Sequence, residues 1–263
     1  MSSRVAAPSA IAQVPLWING RPTASTSGRS GEITNPATGA VIRRVPFADA
    51  ADVDAAVRAA VAAFPAWRDT PPVRRARILN KFRELIERHQ KELAALITEE
   101  HGKVFLDAMG SIQRGIEVVE YAVGAPELLK GAYAEQVGRG VDAHSRLQPL
   151  GVCAGITPFN FPAMVPMWFL PFAIACGNTF ILKPSEQVPM TQGIVFEIID
   201  ELGLPPGVVN MVNGSKDVVN GILDHPGIDA VSFVGSAATA QYIYERAAAN
   251  KKRVQAQIGR AHV

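Results

Sequence analysis

The sequence predicts an α/β chain: a doubly wound parallel sheet, preceded by a small antiparallel element and a helical segment. Three observations predict it. From Leu150 onward, apolar runs of strand length alternate with stretches of helical periodicity, the pattern that winds helices onto both faces of a parallel sheet. Between Ala50 and Val123 the apolar residues recur at helical spacing. Ahead of them, Asn19-Gly20 and Asn35–Gly39 are turn signals of a small antiparallel element.

Residues 1–14 are small and polar and read as a disordered tail. Trp17–Arg21 reads as a hairpin at Asn19-Gly20, and Val41–Val45 as a returning strand. Asp49 is placed to cap a helix from Ala50, with Asp52 as its first-turn partner and Val53, Val57, Val61 and Phe64 on one face. Thr70 reads as the cap of the next helix, with Pro71 at its first position and Ile78, Phe82, Leu85 and Ile86 as the buried stripe. A third helix carries Leu93, Leu96 and Ile97 and stops at Gly102. A fourth runs over Phe105–Val123 with Met109, Ile112, Ile116 and Val119 on one side. Strands follow at Val152–Ile156, Thr179–Leu182, Val208–Val212 and Ala230–Val234, with one more starting at Arg253–Ala256. Helices lie between them, over Pro162–Ala175, Met190–Leu202, Asp217–Leu223 and Ser236–Ala249.

Composition bounds the function. Lys and Arg exceed Asp and Glu by 26 − 24 = +2, too near neutral for a chain that lives on phosphate backbones, so nucleic acid is excluded as a partner. Apolar residues are 48% and charged residues 19%, the composition of a globular domain rather than a disordered chain. Two cysteines exclude a disulfide scaffold and a zinc site built on cysteine pairs, and no metal site is expected. The most apolar stretch, Phe161–Cys176, is broken by Pro162, Pro166 and Pro171, so no membrane helix is expected. Low cysteine usage and the lack of a secretory apolar core point to a reducing compartment, the cytoplasm, or the mitochondrial matrix in a eukaryote.

In open parallel sheets, ligands sit beyond the carboxyl ends of the strands. Asn160, in Thr157-Pro158-Phe159-Asn160-Phe161-Pro162, follows the first such strand. Its amide can donate to a developing oxyanion, or it can close an Asx turn into the next helix. Lys183 and Glu186 end the second strand, a cation and an acid suited to a ligand with hydroxyls, or a solvated turn with a casual ion pair. Gly235-Ser236 opens a helix, where free N–H groups attract an anion and where serine is also an ordinary cap. Cys153 is mid-strand and Cys176 ends a helix, and both read as core. His89 and His101 sit at helix ends without ligand spacing.

Taken in order, these pieces resemble the aldehyde dehydrogenase superfamily. Gly155–Pro162 matches its strand-end asparagine motif, Gly177-Asn178-Thr179 through Lys183-Pro184-Ser185-Glu186 its cofactor motif, and Phe233-Val234-Gly235-Ser236 its phosphate turn. Phe159–Trp168, Gln113–Glu117 and Tyr242–Glu245 are most similar to the CoA-acylating methylmalonate-semialdehyde dehydrogenases. The resemblance implies an NAD-dependent oxidoreductase, with coenzyme A as co-substrate. It would oxidise methylmalonate or malonate semialdehyde through a cysteine thioester to propionyl-CoA or acetyl-CoA and carbon dioxide. It assigns Asn160 to the oxyanion and Arg114 to the substrate carboxylate. Thr157, Phe159, Lys183, Glu186, Gln187 and Ser236 would hold the cofactor.

The resemblance also divides the chain: a helical part of the cofactor domain over 15–136, an oligomerisation strand over 137–150 that implies a homo-oligomer, a tetramer, and a dinucleotide-binding part over 151–256. Residues 257–263 depart from the family pattern and read as an artificial end, with the nucleophilic cysteine and catalytic domain beyond them. Two other readings stand beside this one: a hydrolytic aldehyde dehydrogenase, and a non-catalytic nucleotide-binding module.

Overall fold

The computed structural model describes residues 12–258. In chain order, β1 (Leu16–Ile18) and β2 (Arg21–Thr23) form a hairpin, and β3 (Ser30–Thr34) and β4 (Val41–Pro46) form a second antiparallel pair. Helices α1 (Ala50–Arg68), α2 (Pro72–Arg88), α3 (Gln90–His101), α4 (Phe105–Val123) and the short α5 (Ala125–Leu128) follow. A ribbon of β5 (Tyr133–Gly138) and β6 (Val141–His144) comes next. The alternating part is β7 (Val152–Ile156), α6 (Met164–Ala175), β8 (Thr179–Lys183), α7 (Met190–Asp200), β9 (Val209–Met211), α8 (Lys216–Asp224), β10 (Ala230–Gly235), α9 (Ala237–Ala249) and β11 (Arg253–Ile258).

One sheet of order β11-β10-β7-β8-β9-β1-β2 carries the fold. Its first five strands are parallel, and β1 joins antiparallel through Trp17 against Met211. Both faces are covered, because side chains alternate along each strand. Phe180 and Leu182 point into a core shared with α2, α3, α4, α6 and α7, whereas Ile181, between them, points into the core shared with α1, α8 and α9. This is the doubly wound arrangement expected.

Local chemistry accounts for the element ends. Asp49 closes a capping box on α1, accepting from the amides of Ala51 at 2.9 Å and Asp52 at 3.0 Å, while the Asp52 carboxylate accepts from the Asp49 amide at 3.2 Å. Asn19 and Gly20 both have positive φ, 56° and 74°, as a two-residue hairpin of right-handed twist requires. Asn178 starts β7 by accepting from the amides of Leu150 at 2.7 Å and Gly151 at 3.1 Å. Helix α6 is apolar on all sides and is buried between the sheet and α4. At the α4–α6 crossing Gly115 lets the backbones approach: a Cβ there would sit 3.4 Å from the Met164 Cα.

Several expectations are corrected. The N-terminal hairpin is no separate element, since β1 extends the main sheet. Residues 12–14 are not a tail: the Val14 amide donates to the Arg44 carbonyl at 2.8 Å, and its side chain is buried with Ile33, Val45 and Met190. Residues 1–11 lie outside the described residues. Val61 is exposed, because strict spacing of four drifts around a helix of 3.6 residues per turn, and Ala60 and Trp67 take the buried face. Thr70 does not cap α2; its hydroxyl donates back to the Ala66 carbonyl at 3.0 Å and closes α1, while Pro71 precedes α2 without a side-chain cap. Helix α6 begins at Met164 rather than Pro162. Segment 137–150 holds the end of β5, the turn and β6, a ribbon whose residues are all exposed. Gln257 and Ile258 continue β11 beside β10, and 259–263 lie outside the described residues.

The turn into β9 gives the fold a sharp test. Gly207 has φ +87°, and a Cβ there would collide with the Ala59 carbonyl of α1. Gly207→Ala combines a left-handed backbone with a clash that only helix movement relieves. A loss of about 2–4 kcal/mol in urea unfolding is expected; an unchanged midpoint would mean the α1–β9 contact is soft.

Candidate functional site

The five parallel strands run, in sheet order, fifth, fourth, first, second, third. The order reverses between β7 and β10, so the loops leaving these neighbours depart in opposite directions and leave a crevice beyond their carboxyl ends. A cavity of about 250 Å³ lies there, lined by Pro158, Phe159 and Asn160 after β7 and by Phe233–Ser236 and Thr239 at β10 and α9. Thr239 also borders a second hollow of about 350 Å³ between α8 and α9, lined by Lys216, Val219, Ala238 and Tyr242. A larger cavity, about 620 Å³, lies elsewhere, near Arg75, Arg146 and Leu150. It is remote from the strand ends, and Arg75 there is engaged with the carbonyls of Ala175 at 2.8 Å and Arg68 at 3.2 Å.

Lys183 closes β8 and is 5% exposed. Its ammonium donates to the Glu186 carboxylate at 2.8 Å. Burial pushes the Lys183 ammonium below its ordinary pKa, against the pull of Glu186. This is a built pair at the strand end rather than a casual surface one: Lys183 is held inside while the Glu186 side chain stays 35% exposed toward the mouth. The Thr157 amide donates to the Lys183 carbonyl at 3.1 Å and ties the ends of β7 and β8 together. Ser185 accepts from the Gln187 amide at 3.3 Å, and Gln187 itself is exposed.

Ser236 is the N-cap of α9, yet its hydroxyl makes no cap bond; it pairs with the Thr239 hydroxyl at 2.9 Å. The first-turn amides of α9 therefore face the crevice without a side-chain acceptor, an arrangement that attracts an anion. The Asx-turn reading of Asn160 does not hold. The residue preceding α6 is Ala163, and among the described residues the Asn160 side-chain amide has no partner. Its backbone is fixed instead: the Lys103 ammonium donates to the Asn160 carbonyl at 3.0 Å and lies 3.9 Å from the centre of the Phe161 ring. Two residues on, Gln192 of α7 donates to the Pro162 carbonyl at 2.5 Å.

Arg114 is exposed on α4, next to the Gly115 that packs on the start of α6. Burial and, further, the positive charge of Arg114 hold the Lys103 pKa down, with Asp107 opposing, so Arg114 lies within electrostatic reach of the Asn160 corner. The two cysteines are free, and burial pushes Cys153 to about 12 and Cys176 upward, so neither is a thiolate nucleophile. Among the described residues no group of three or more His, Cys, Asp or Glu could hold a metal. The same residues contain no helix long and apolar enough to cross a membrane.

Sequence reasoning missed the turn that ends α3. Glu100 is buried and accepts from the amides of Met190 at 2.8 Å and Thr191 at 2.9 Å, capping α7; the Thr191 hydroxyl also donates to it. His101 stacks on Phe159 with ring centres 6.3 Å apart. No periodicity marks Glu100 or Lys103; only Gly102, as a helix stop, pointed to this turn.

Sheet order, unfilled helix N-terminus and strand-end Lys–Glu pair define an open α/β domain with a cleft at its switch point, where such folds bind ligands. The chain belongs to the aldehyde dehydrogenase family, whose sequence profile matches residues 23–261. It is 54% identical over 239 residues to a malonate-semialdehyde dehydrogenase of Pseudomonas aeruginosa, covering 91% of this chain and 48% of that protein. A Dictyostelium discoideum protein, named as a candidate acylating, mitochondrial methylmalonate-semialdehyde/malonate-semialdehyde dehydrogenase, is 49% identical over 240 residues, covering 91% of this chain and 46% of its own length. The structure of a candidate methylmalonate-semialdehyde dehydrogenase from Sinorhizobium meliloti, solved with NAD, superposes with a TM-score of 0.91 at 50% identity. That match covers 94% of this chain and 50% of that one. The chain thus spans about half the length of the relatives it matches.

Glu100 predicts a pH effect. Burial raises its carboxyl from 4.5 to about 7 in the folded state. A raised folded pKa means that the fold prefers the protonated acid. This contribution is full below about pH 4.5 and is lost as pH rises through 7, on the order of 3 kcal/mol across the window. Glu100→Gln should therefore gain stability relative to the parent chain between pH 5 and 8, read by urea unfolding at both. A difference that does not change with pH would contradict the buried acid.

Proposed function

We propose that the chain is the NAD-binding half of a CoA-acylating malonate- or methylmalonate-semialdehyde dehydrogenase. The observation that carries this reading is the switch-point cleft, lined by Asn160 and by the uncapped N-terminus of α9, with the Lys183–Glu186 pair at the end of the neighbouring strand β8. NAD, when bound, accepts hydride from the substrate carbon. The residues fit it. Lys183 and Glu186 suit the hydroxyls of the adenosine ribose, and the Glu186 carboxylate repels a 2′-phosphate, which favours NAD over NADP. The α9 N-terminus with Ser236 suits the pyrophosphate. Thr157, Phe159 and Gln187 are assigned to the cofactor as well: Phe159 lines the cleft, Thr157 is buried just after β7, and Gln187 is exposed beside Glu186.

Asn160 then serves the aldehyde. A donor already fixed before charge develops stabilises an oxyanion without reorganisation, and the Lys103 and Gln192 contacts fix this loop. Arg114 supplies a guanidinium for the substrate carboxylate. The attacking thiolate is neither of this chain's cysteines, because Cys153 and Cys176 line no part of the cleft and partial burial raises the pKa of both thiols. Thioester formation, loss of carbon dioxide and transfer to coenzyme A complete the reaction in the enzyme that carries this half. The exposed ribbon of β5 and β6, with Tyr133, Val137 and Val141 at its surface, supports assembly into a homo-oligomer, a tetramer. Two free cysteines support a reducing compartment: the cytoplasm, or the mitochondrial matrix in a eukaryote.

The reading is tested on the chain itself. Lys183→Ala and Glu186→Ala each remove a charge-assisted hydrogen bond, worth roughly 1.5–3 kcal/mol, so calorimetry should show NAD binding weakened about ten- to a hundredfold. Equal binding by parent and both variants would remove the pair from the cofactor site. With NAD bound, the chain should form no NADH from malonate semialdehyde. Sustained aldehyde-dependent absorbance at 340 nm that survives Cys153→Ala and Cys176→Ala would show a different mechanism.

A further inference from the structure

We propose that His225 is an acid-sensitive latch on the turn joining α8 to β10: the neutral ring clasps the Gly227 amide, and the protonated ring lets it go. The device is independent of the nucleotide reading above and rests on contacts which that reading does not use.

The geometry of the turn carries it. His225 closes α8, its amide donating to the Gly221 carbonyl at 3.0 Å. Pro226 follows, and His225 takes the extended ψ of 121° that a residue before proline prefers. The chain then doubles back, and the Ile228 amide donates to the His225 carbonyl at 3.2 Å. Inside this turn the Gly227 amide donates to the His225 Nδ1 at 3.0 Å. The ring does what an Asn or Asp side chain does in an Asx turn, accepting from the amide two residues on. Only an unprotonated nitrogen can accept. A ring bound in this way carries its single proton on Nε2, which donates to the Asp54 carboxylate of α1 at 3.2 Å. One ring therefore ties the end of α8 to α1 and to the lead-in of β10.

The surroundings favour the neutral ring. The Lys252 ammonium, just ahead of β11, donates to the carbonyls of His225 and Ile228, so a positive charge already sits on this turn. Burial first, then Lys252 and Arg58, hold the His225 pKa below its ordinary value. From α1, Asp54 pulls the other way, but it is shared with Arg58 and its side chain is 40% exposed. On α8 itself, Asp224 is engaged by Arg246 at 2.6 Å and by Asn250 at 3.2 Å. Asp229, ahead of β10, accepts from the Val152 amide at 2.9 Å. A proton on Nδ1 turns the acceptor into a donor that faces a donor, beside an ammonium. Gly227 has little room to adjust: a Cβ there would lie 2.9 Å from Val57 of α1 and 3.3 Å from the ring. The turn therefore opens at Gly227, while the bonds of Lys252 and Ile228 to backbone carbonyls hold the rest of the corner. Through Lys216 and Val219, α8 also forms one wall of the hollow against α9, so a loosened end acts on that wall. The latch is fully closed above the ordinary pKa of 6.5 and opens as pH falls through the lower folded value.

The test uses the full 263-residue chain, labelled with nitrogen-15 and titrated downward from pH 7.5 by NMR. The imidazole nitrogen shifts of His225 should show the Nε2–H tautomer at the start. Protection of the Gly227 amide from hydrogen exchange, corrected for the intrinsic rate at each pH, should fall at least tenfold as the ring gains its proton. Protection of the Ile228 amide should change less than twofold. In His225→Asn the carboxamide oxygen takes the place of Nδ1 as acceptor and does not titrate, so Gly227 protection should stay flat over the same range. In urea, parent and variant should diverge only below pH 6.5, with the parent losing stability; Glu100 titrates in both and cancels from the comparison.

An Nδ1–H tautomer at pH 7.5 would overturn the latch, because that ring cannot accept from Gly227. So would Gly227 protection that ignores the titration of the ring, or a ring that takes up its proton only as the whole chain unfolds. These three readings come from the parent chain alone, so they decide the matter even if His225→Asn does not fold.

Discussion

Strand polarity is the constraint on which the rest of this structure depends. Five parallel strands bring every carboxyl end to one edge of the sheet, and β10 placed beside β7 rather than beyond β9 reverses the winding there. That single reversal separates the loop holding Asn160 from the turn at Gly235-Ser236 and opens the space between them. Were β10 to follow β9, the loops would lie side by side along one edge, with no crevice for a nucleotide. The covering helices follow from the same constraint, because parallel strands are buried on both faces and each crossover must return over one of them.

Polarity opens the crevice but does not shape its loops, which have no regular hydrogen bonding of their own. The last turn of α3 supplies the missing order. Glu100 satisfies the first amides of α7 and so fixes the exit of the Lys183–Glu186 loop. His101 stacks on Phe159, and Lys103 holds the Asn160 carbonyl. From α7, Gln192 returns to the Pro162 carbonyl and closes the circuit. Three residues at the end of α3, with Gln192 of α7, thus brace both loops against one another. A buried carboxylate is costly on its own, and its three donors show why it is retained: without it, the N-terminus of α7 would be buried with unsatisfied amides.

The sheet was readable because its strands are short apolar runs bounded by turn residues, and Val152–Ile156 or Ala230–Val234 can be little else. Caps were readable where a side chain reaches its own helix, as at Asp49 and Asp52. Where a side chain serves a different element, local reading went astray. Thr70 sits just before a proline-led helix but closes the helix behind it. The strand at Leu16–Ile18 pairs with its own hairpin as expected, and also with Met211, nearly two hundred residues away, a register no local pattern encodes. The ligand-facing residues divide in the same way. Asn160, Lys183, Glu186 and Ser236 sit at strand ends, where position alone marks them. Lys103 and Glu100 matter through contacts 57 and 90 residues distant in sequence, and nothing in their neighbours announces it.

The two kinds of polar group in this chain differ in how they are satisfied, and the difference locates the chemistry. Structural polar groups are closed off. Asp52 accepts from Ser25, Thr26 and Asp49, and Arg75 donates to carbonyls of α1, α6 and the turn before α2. Both thiols are disfavoured as thiolates, since partial burial raises their pKa, that of Cys153 to about 12. At the crevice the reverse holds. The Asn160 loop and the first amides of α9 have fixed positions but no anionic partner among the described residues. Groups immobilised without a partner are suited to stabilise charge that arrives from outside, as phosphate, carboxylate or a developing oxyanion. On the proposed reading, the chain contributes preorganised donors at the crevice, which need no rearrangement when charge arrives there.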